Sequence, residues 1–236
     1  MIINEVIQRV QSLYSKGVES DDTRLSSRHI YNKLLTVRAK LFQEKADKNK
    51  FISPYVYSEI NCLELIKVPI HECPCLPPLG CCTLRSKYKF PSILTNRNGL
   101  MVKSVTTLDG RIRYSETDFE TEHWANSNRY TSSKASYYFA NDYLYVTMED
   151  PNNDDDEARV VRVELMLEDP LDAIKYPSYC PSNQDCTSYR DVDFKIESAM
   201  VEPLIQLTAQ ELIQVFNAGQ EDSSNNTKDN PEQTTK

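Results

Sequence analysis

The residues best suited to chemistry in this 236-residue chain are concentrated in one stretch, Cys73-Pro74-Cys75-Leu76-Pro77-Pro78-Leu79-Gly80-Cys81-Cys82. Four of the seven cysteines fall within it, His71 stands two residues before it and Cys62 lies upstream. Thiolate and imidazole are the usual ligands of structural zinc, so His71, Cys73, Cys75, Cys81 and Cys82 form a candidate metal set. Zinc sites pair their cysteines roughly two to four residues apart. The spacings here, C-x-C and C-C, fit that poorly, and Pro74, Pro77 and Pro78 stiffen the segment. No CxxC occurs, which removes the common redox motif. Met1-Ile2-Ile3-Asn4-Glu5 has neither a basic n-region nor a long apolar h-region, which predicts no signal peptide and synthesis in the reducing cytoplasm. Disulfides are rare there, and an odd cysteine count argues against a fully paired framework. The segment therefore reads as a compact proline-cysteine turn whose small thiols pack inward, at the join between a helical half and a β half. No metal site is assigned; a small zinc-binding interaction module on these five residues is the alternative.

Other chemistries fare worse. His29, His71 and His123 lie in no hydrolase or metalloprotease motif, since His71-Glu72-Cys73 is not HExxH and GxSxG is absent. No residues are assigned as catalytic or cofactor-binding, and the chain reads as a non-enzyme. Only five glycines occur, with neither GxGxxG nor a Walker A loop for phosphate. Asp154-Asp155-Asp156-Glu157 lacks the glycine and the distant glutamate of a calcium loop, and reads as a solvated turn. No run of about 18 apolar residues exists to cross a membrane.

The net charge of −8 is unevenly spread. Residues 1–50 carry ten Lys/Arg against six Asp/Glu, and residues 141–236 carry seven against twenty-one. Such a split suits contacts with different partners at the two ends, and equally suits simple solubility.

The elements that must position these residues follow from periodicity. Ile3, Val6, Ile7, Val10, Leu13 and Tyr14 predict an amphipathic helix over 2–16, ended by Gly17. Ile30, Leu34, Val37 and Leu41 predict a second over 27–49, with Ser26 as N-cap and Leu25 and Ile30 as a hydrophobic staple. Its remaining face is basic, with Arg28, Lys33, Arg38, Lys40, Lys45 and Lys48. The short connection predicts an antiparallel helical hairpin. Tyr55–Val68 fits helix and strand equally imperfectly. Strands are expected at 83–88, 100–107 and 111–114, the last two joined by Asp109-Gly110. A hairpin is expected at 136–148 around Asn141-Asp142, and the cleanest strand at 158–168, with Val161, Val163, Leu165 and Leu167 on one face. Residues 170–198 read as irregular. A last helix is expected over 200–217, with Pro203 in its first turn and Gly219 after its end. The fold class is thus α+β: an N-terminal helical hairpin (1–52), an antiparallel β-rich domain (53–198) holding the cysteine turn 69–82, a C-terminal helix (199–218) and a disordered polar tail (219–236).

Two segments carry a family likeness. Asp22-Thr23-Arg24-Leu25-Ser26-Ser27-Arg28-His29-Ile30-Tyr31, leading to Arg38-Ala39-Lys40-Leu41, is one; Glu72-Cys73-Pro74-Cys75-Leu76-Pro77-Pro78-Leu79-Gly80-Cys81, followed by Arg85-Ser86-Lys87, is the other. With them the chain, over about residues 1–217, resembles the ring or adaptor proteins in the neck of crAss-like tailed bacteriophages. These are similar in turn to the tail-tubular head-to-tail adaptors of short-tailed phages. The resemblance implies a structural virion protein made in the host cytoplasm. It would form a homo-oligomeric ring of twelve copies below the portal and continue the DNA channel used in ejection. The implied partners are the portal protein, adjacent ring or tail proteins, and genomic DNA passing without sequence-specific binding. No membrane and no cofactor are implied. Acidic residues such as Asp154–Glu157, facing a channel, would let DNA slide by repelling its phosphates. If the helical hairpin is the oligomer contact, charge reversal at Arg28 and Arg38 is expected to weaken assembly.

Overall fold

A computed structural model of the chain describes residues 1–17, 25–68, 83–118, 135–147, 160–177 and 191–225, with side chains of the last helix described to Val215. The architecture is α+β, and it divides into two compact units. One comprises Met1–Glu44 and Ser188–Lys236; the other is the continuous stretch Lys45–Thr187.

The first unit is helical and draws on both ends of the chain. Helix α1 (Ile3–Tyr14) buries Ile3, Val6, Ile7 and Val10 of the predicted stripe, leaves Leu13 exposed, and closes through Gly17 at φ +80°. Helix α2 (Ser27–Asp47) starts where Ser26 Oγ accepts the His29 N–H at 3.2 Å, and Leu25 and Ile30 are both buried beside that cap. The long C-terminal helix, Ser198–Asn225, buries Leu204, Ile205, Thr208, Ala209 and Leu212. The close backbone approach of α1 is to this helix, so the first helix packs on the last. Thr208 on this helix is fully buried and keeps its hydroxyl satisfied by donating to the Leu204 carbonyl at 2.7 Å. The last helix also starts two residues earlier than expected, which moves Pro203 into its second turn, and it runs through Gly219 to Asn225. Residues 219–225 are therefore helical, where a disordered tail was expected. A short extended segment locks the N-terminus: Ile2 bridges Asp193, the Ile3 N–H donates to the Val192 carbonyl at 3.0 Å, and the Phe194 N–H donates to the Met1 carbonyl at 2.8 Å.

The second unit is built on a seven-stranded sheet. Its strands are β1 (Ser58–Lys67), β2 (Thr83–Ser86), β5 (Val102–Thr107), β6 (Ser115–Glu116), β7 (Ser136–Ala140), β8 (Tyr143–Thr147) and β9 (Val160–Leu165). They lie in the order β5-β9-β1-β2-β8-β7-β6, antiparallel except for the β6–β7 pair. A two-stranded ribbon, β3 (Thr95–Asn96) with β4 (Gly99–Leu100), stands apart. The expected strand at 111–114 is absent; only Arg113 bridges Thr106, and the chain enters β6 later. Within the stretch expected to be irregular, Leu171–Lys175 forms a short helix, α3, packed on β1; the C-terminal helix is α4.

The sheet explains why Tyr55–Val68 fitted neither period. After a single 3₁₀ turn at Pro54–Val56, β1 buries Ser58, Ile60 and Cys62, then Leu63 and Leu65. Ile60 pairs with Val163 and Leu63 with Val161, three steps on β1 against two on β9. One residue is extra, a β-bulge, and Cys62 sits in it at φ +57°. The bulge reverses the parity, so inward residues fall on even numbers before it and odd numbers after it. The core on this face gathers Ile60, Leu63, Leu65, Val105, Val161, Val163, Leu165 and Leu167 with Phe90, Tyr137 and Tyr176. Each such aliphatic side chain contributes roughly 1.5–3 kcal/mol by leaving water. Tyr176 keeps its hydroxyl satisfied by donating to the Tyr88 carbonyl at 2.9 Å.

Candidate assembly interface

The cysteine segment lies between two described strands that are neighbours in the sheet. Lys67 at the end of β1 pairs with Leu84 in β2, so residues 69–82 connect adjacent strands within one unit. His71, Cys73, Cys75, Cys81 and Cys82 lie outside the described residues, as do Cys180, Cys186, His123, Trp124 and Asp154–Glu157. Cys62 is disulfide-bonded, which the expected reducing compartment disfavours and the odd cysteine count leaves open. A thiol in a disulfide cannot serve as a thiolate ligand. Among the described residues no group of three or more His, Cys, Asp or Glu could hold a metal ion.

The basic face of α2 is largely consumed inside its own unit. Lys33 and Lys40 reach Glu211 of α4 at 2.5 and 3.0 Å. The hydrogen bond from Lys33, then that from Lys40, holds the Glu211 carboxyl below its ordinary range. Arg38, expected on the solvated side, is fully buried: its Nε donates to the Lys195 carbonyl at 3.0 Å and its guanidinium lies 5.2 Å from the Phe42 ring centre. Arg28 and His29 are exposed.

The outer face of the sheet carries a ladder of charge. Glu59 on β1 stands directly opposite Glu164 on β9. Two carboxylates so placed repel, and cations bridge them. Arg162 reaches Glu59 at 2.6 Å and Glu164 at 3.2 Å, and Lys103 on β5 pairs with Glu164. On the same sheet Tyr138 and Tyr145 stack with ring centres 5.0 Å apart, and Arg85 lies 4.4 Å over Tyr143. Burial pushes the Tyr114 and Tyr137 hydroxyls up to about 12. These shifts arise from packing in the core rather than from a convergent set of reactive groups.

Among the described residues, exposed apolar side chains include Leu13, Tyr88, Ile174, Leu207 and Val215, and two pairs in the second unit. Phe51 and Tyr55, before β1, are 78% and 87% exposed. Leu108 and Ile112, flanking Asp109-Gly110 after β5, are 48% and 53% exposed. That turn is tightly built. Gly110 takes φ +72°, the Thr107 hydroxyl donates to Asp109 Oδ1 at 2.5 Å, and the Arg111 N–H donates to the same oxygen at 3.1 Å. These bonds lower the Asp109 pKa. Asp109-Gly110 marks the turn in the sequence, but the exposure of Leu108 and Ile112 beside it is seen only in the structure. A cavity of about 420 Å³ opens elsewhere in the same unit, lined by Phe90, Ile93, Leu100 and Phe139 together with Asp142 and Glu168. Among the described residues, no helix is long and apolar enough to cross a membrane.

Residues 5–231 match the family described as phage tail ring protein 2. The chain is 31% identical over 233 residues to "Ring protein 2" of Bacteroides phage crAss001, covering 97% of each chain.

Proposed function

Because this chain belongs to the phage tail ring protein 2 family of crAss-like phages, we propose that twelve copies of it form a ring in the virion neck. The ring lies below the portal, continues the DNA channel and joins portal to tail, and its role is structural rather than enzymatic. The carrying observation is the family match across 5–231, which spans both units and both sequence segments that bear the resemblance. Two features support the reading. Ordered apolar side chains stand in solvent at Leu108, Ile112, Phe51 and Tyr55, where an isolated protein gains nothing by keeping them. The charged groups of α2 and of the sheet's outer face are largely engaged in internal pairs, so a path for DNA through the ring needs no base-reading residues.

Cryo-electron microscopy of purified particles tests this. A ring of twelve copies between portal and tail is expected. Particles that lack the protein, or that carry it outside the neck, would refute the assignment.

A further inference from the structure

Strand pairing fixes where the Leu108/Ile112 tip and the Phe90/Phe139 cavity lie on their unit. Val102 of β5 pairs with Leu165 and Thr107 with Val161, so the tip after Thr107 leaves the sheet at the end where β9 begins. Lys67, Thr83 and Thr147 lie at that same end, through the Lys67–Leu84, Leu84–Val146 and Thr83–Thr147 pairs. The cavity is at the other end. It includes the Asn141-Asp142 turn, from which β8 starts, and Phe90, whose N–H donates to the Asp142 carbonyl at 2.7 Å. It also includes Ile93 and Glu168, beside the Ile93–Leu167 bridge beyond the end of β9. A six-residue strand such as β5 spans about 20 Å. The tip therefore cannot reach the cavity of its own chain.

The tip carries apolar side chains and a cation, and the cavity carries apolar side chains and carboxylates. The tip is held as a knob: the Thr107 N–H donates to the Ile112 carbonyl at 3.0 Å, the Gly110 N–H donates to the Thr107 carbonyl at 2.9 Å, and Arg113 Nη2 donates to the Lys103 carbonyl at 3.0 Å. It presents Leu108 and Ile112 with Arg111, whose side chain is 87% exposed. The cavity offers Phe90, Ile93, Leu100 and Phe139 with Asp142 and Glu168 in its lining. A volume of about 420 Å³ is ample, since an apolar cavity of about 150 Å³ already admits a benzene ring. Arg111 pairs with Asp109 at 3.1 Å and Asp142 with Lys89 at 3.8 Å. Both are exposed pairs of small worth, readily exchanged for a contact across an interface.

We propose that the Leu108/Ile112 tip of one copy seats in the Phe90/Phe139 cavity of the next. A knob at one end of the strands and a socket at the other make a heterologous contact, and a heterologous contact repeated through a closing rotation makes a ring. The proposal rests on the ring reading above and names the surface that builds it.

The test uses the full chain with p-benzoyl-phenylalanine at position 108, assembled into particles, irradiated and digested. Crosslinks from 108 to residues 90–93 or 139–142 of another copy are expected. Rings whose crosslinks run to other segments, or to a different protein, overturn this contact and leave the ring reading intact. Particles that lack the chain overturn both. In parallel, the Leu108→Asp, Ile112→Asp double variant should keep the parent's melting temperature, because both side chains are exposed. Its incorporation into particles should fall by about tenfold or more; parental incorporation would overturn the proposal.

Discussion

Arg38 shows how one side chain can change its role between sequence and structure. It sits among basic residues in the sequence, yet it is fully buried and bound to the Lys195 carbonyl, with the Phe42 ring beneath it. Truncating a buried hydrogen-bonded cation removes packing and leaves an acceptor without its donor. Arg38→Ala should therefore destabilise by about 3 kcal/mol in urea unfolding, whereas Arg28→Glu, at an exposed position, should stay within about 0.5 kcal/mol. The expected effect of charge reversal on assembly is thus open to test at Arg28 only; at Arg38 it would report unfolding. An unchanged urea midpoint for Arg38→Ala would show that the buried contacts are dispensable. Glu211 supplies a pH dependence. Its folded pKa is depressed, so its contribution is full above its ordinary value of 4.5 and is lost as pH falls through the lower folded value. Glu211→Gln should lower stability near neutral pH by less than about 1 kcal/mol, because the pair is partly exposed. Thermal melts of parent and variant should converge towards pH 2.

At the scale of elements, turns are where local sequence speaks most directly. Asn141 and Asp142 both take positive φ, +51° and +65°, the signature of a type I′ turn joining β7 to β8. Asp at the second position costs more in that region than Gly does. Asp142→Gly should stabilise the second unit by about 0.5–1 kcal/mol, after discounting the exposed 3.8 Å contact with Lys89; a lowered melting temperature would contradict this turn assignment. The bulge in β1 is the counterexample. Nothing in Ile60-Asn61-Cys62-Leu63 marks an extra residue, because the need for it comes from β9, whose Val161 and Val163 must both meet inward partners.

At the scale of the whole molecule, the two units differ in how the chain supplies them. Lys45–Thr187 is continuous and holds the whole seven-stranded sheet. A fragment of residues 45–187 should therefore fold alone, with a β-type circular dichroism spectrum and cooperative unfolding. Residues 1–44 alone should not, since α1 buries its apolar stripe against α4, about 190 residues later in sequence, and short isolated helices are marginal in water. A helical, cooperatively melting 1–44 peptide would refute the dependence on α4.

The sequence by itself determined what is local. The stripe Ile3-Val6-Ile7-Val10, the Ser26 cap, the Asn141-Asp142 turn, and the alternation of Val161, Val163 and Leu165 each carry their own geometry within a few residues. The α+β class follows from their order, and the motifs at 22–41 and 72–87 carried the family. Only the tertiary structure decided what depends on distant partners. It paired α1 with the C-terminal helix, buried Arg38 against residue 195, inserted the bulge at Cys62 and placed the cysteine segment between adjacent strands. It also set an apolar tip and a cavity of mixed lining at opposite ends of one sheet. Strand order and register are fixed by the summed burial of many side chains, and no single segment of sequence holds that sum.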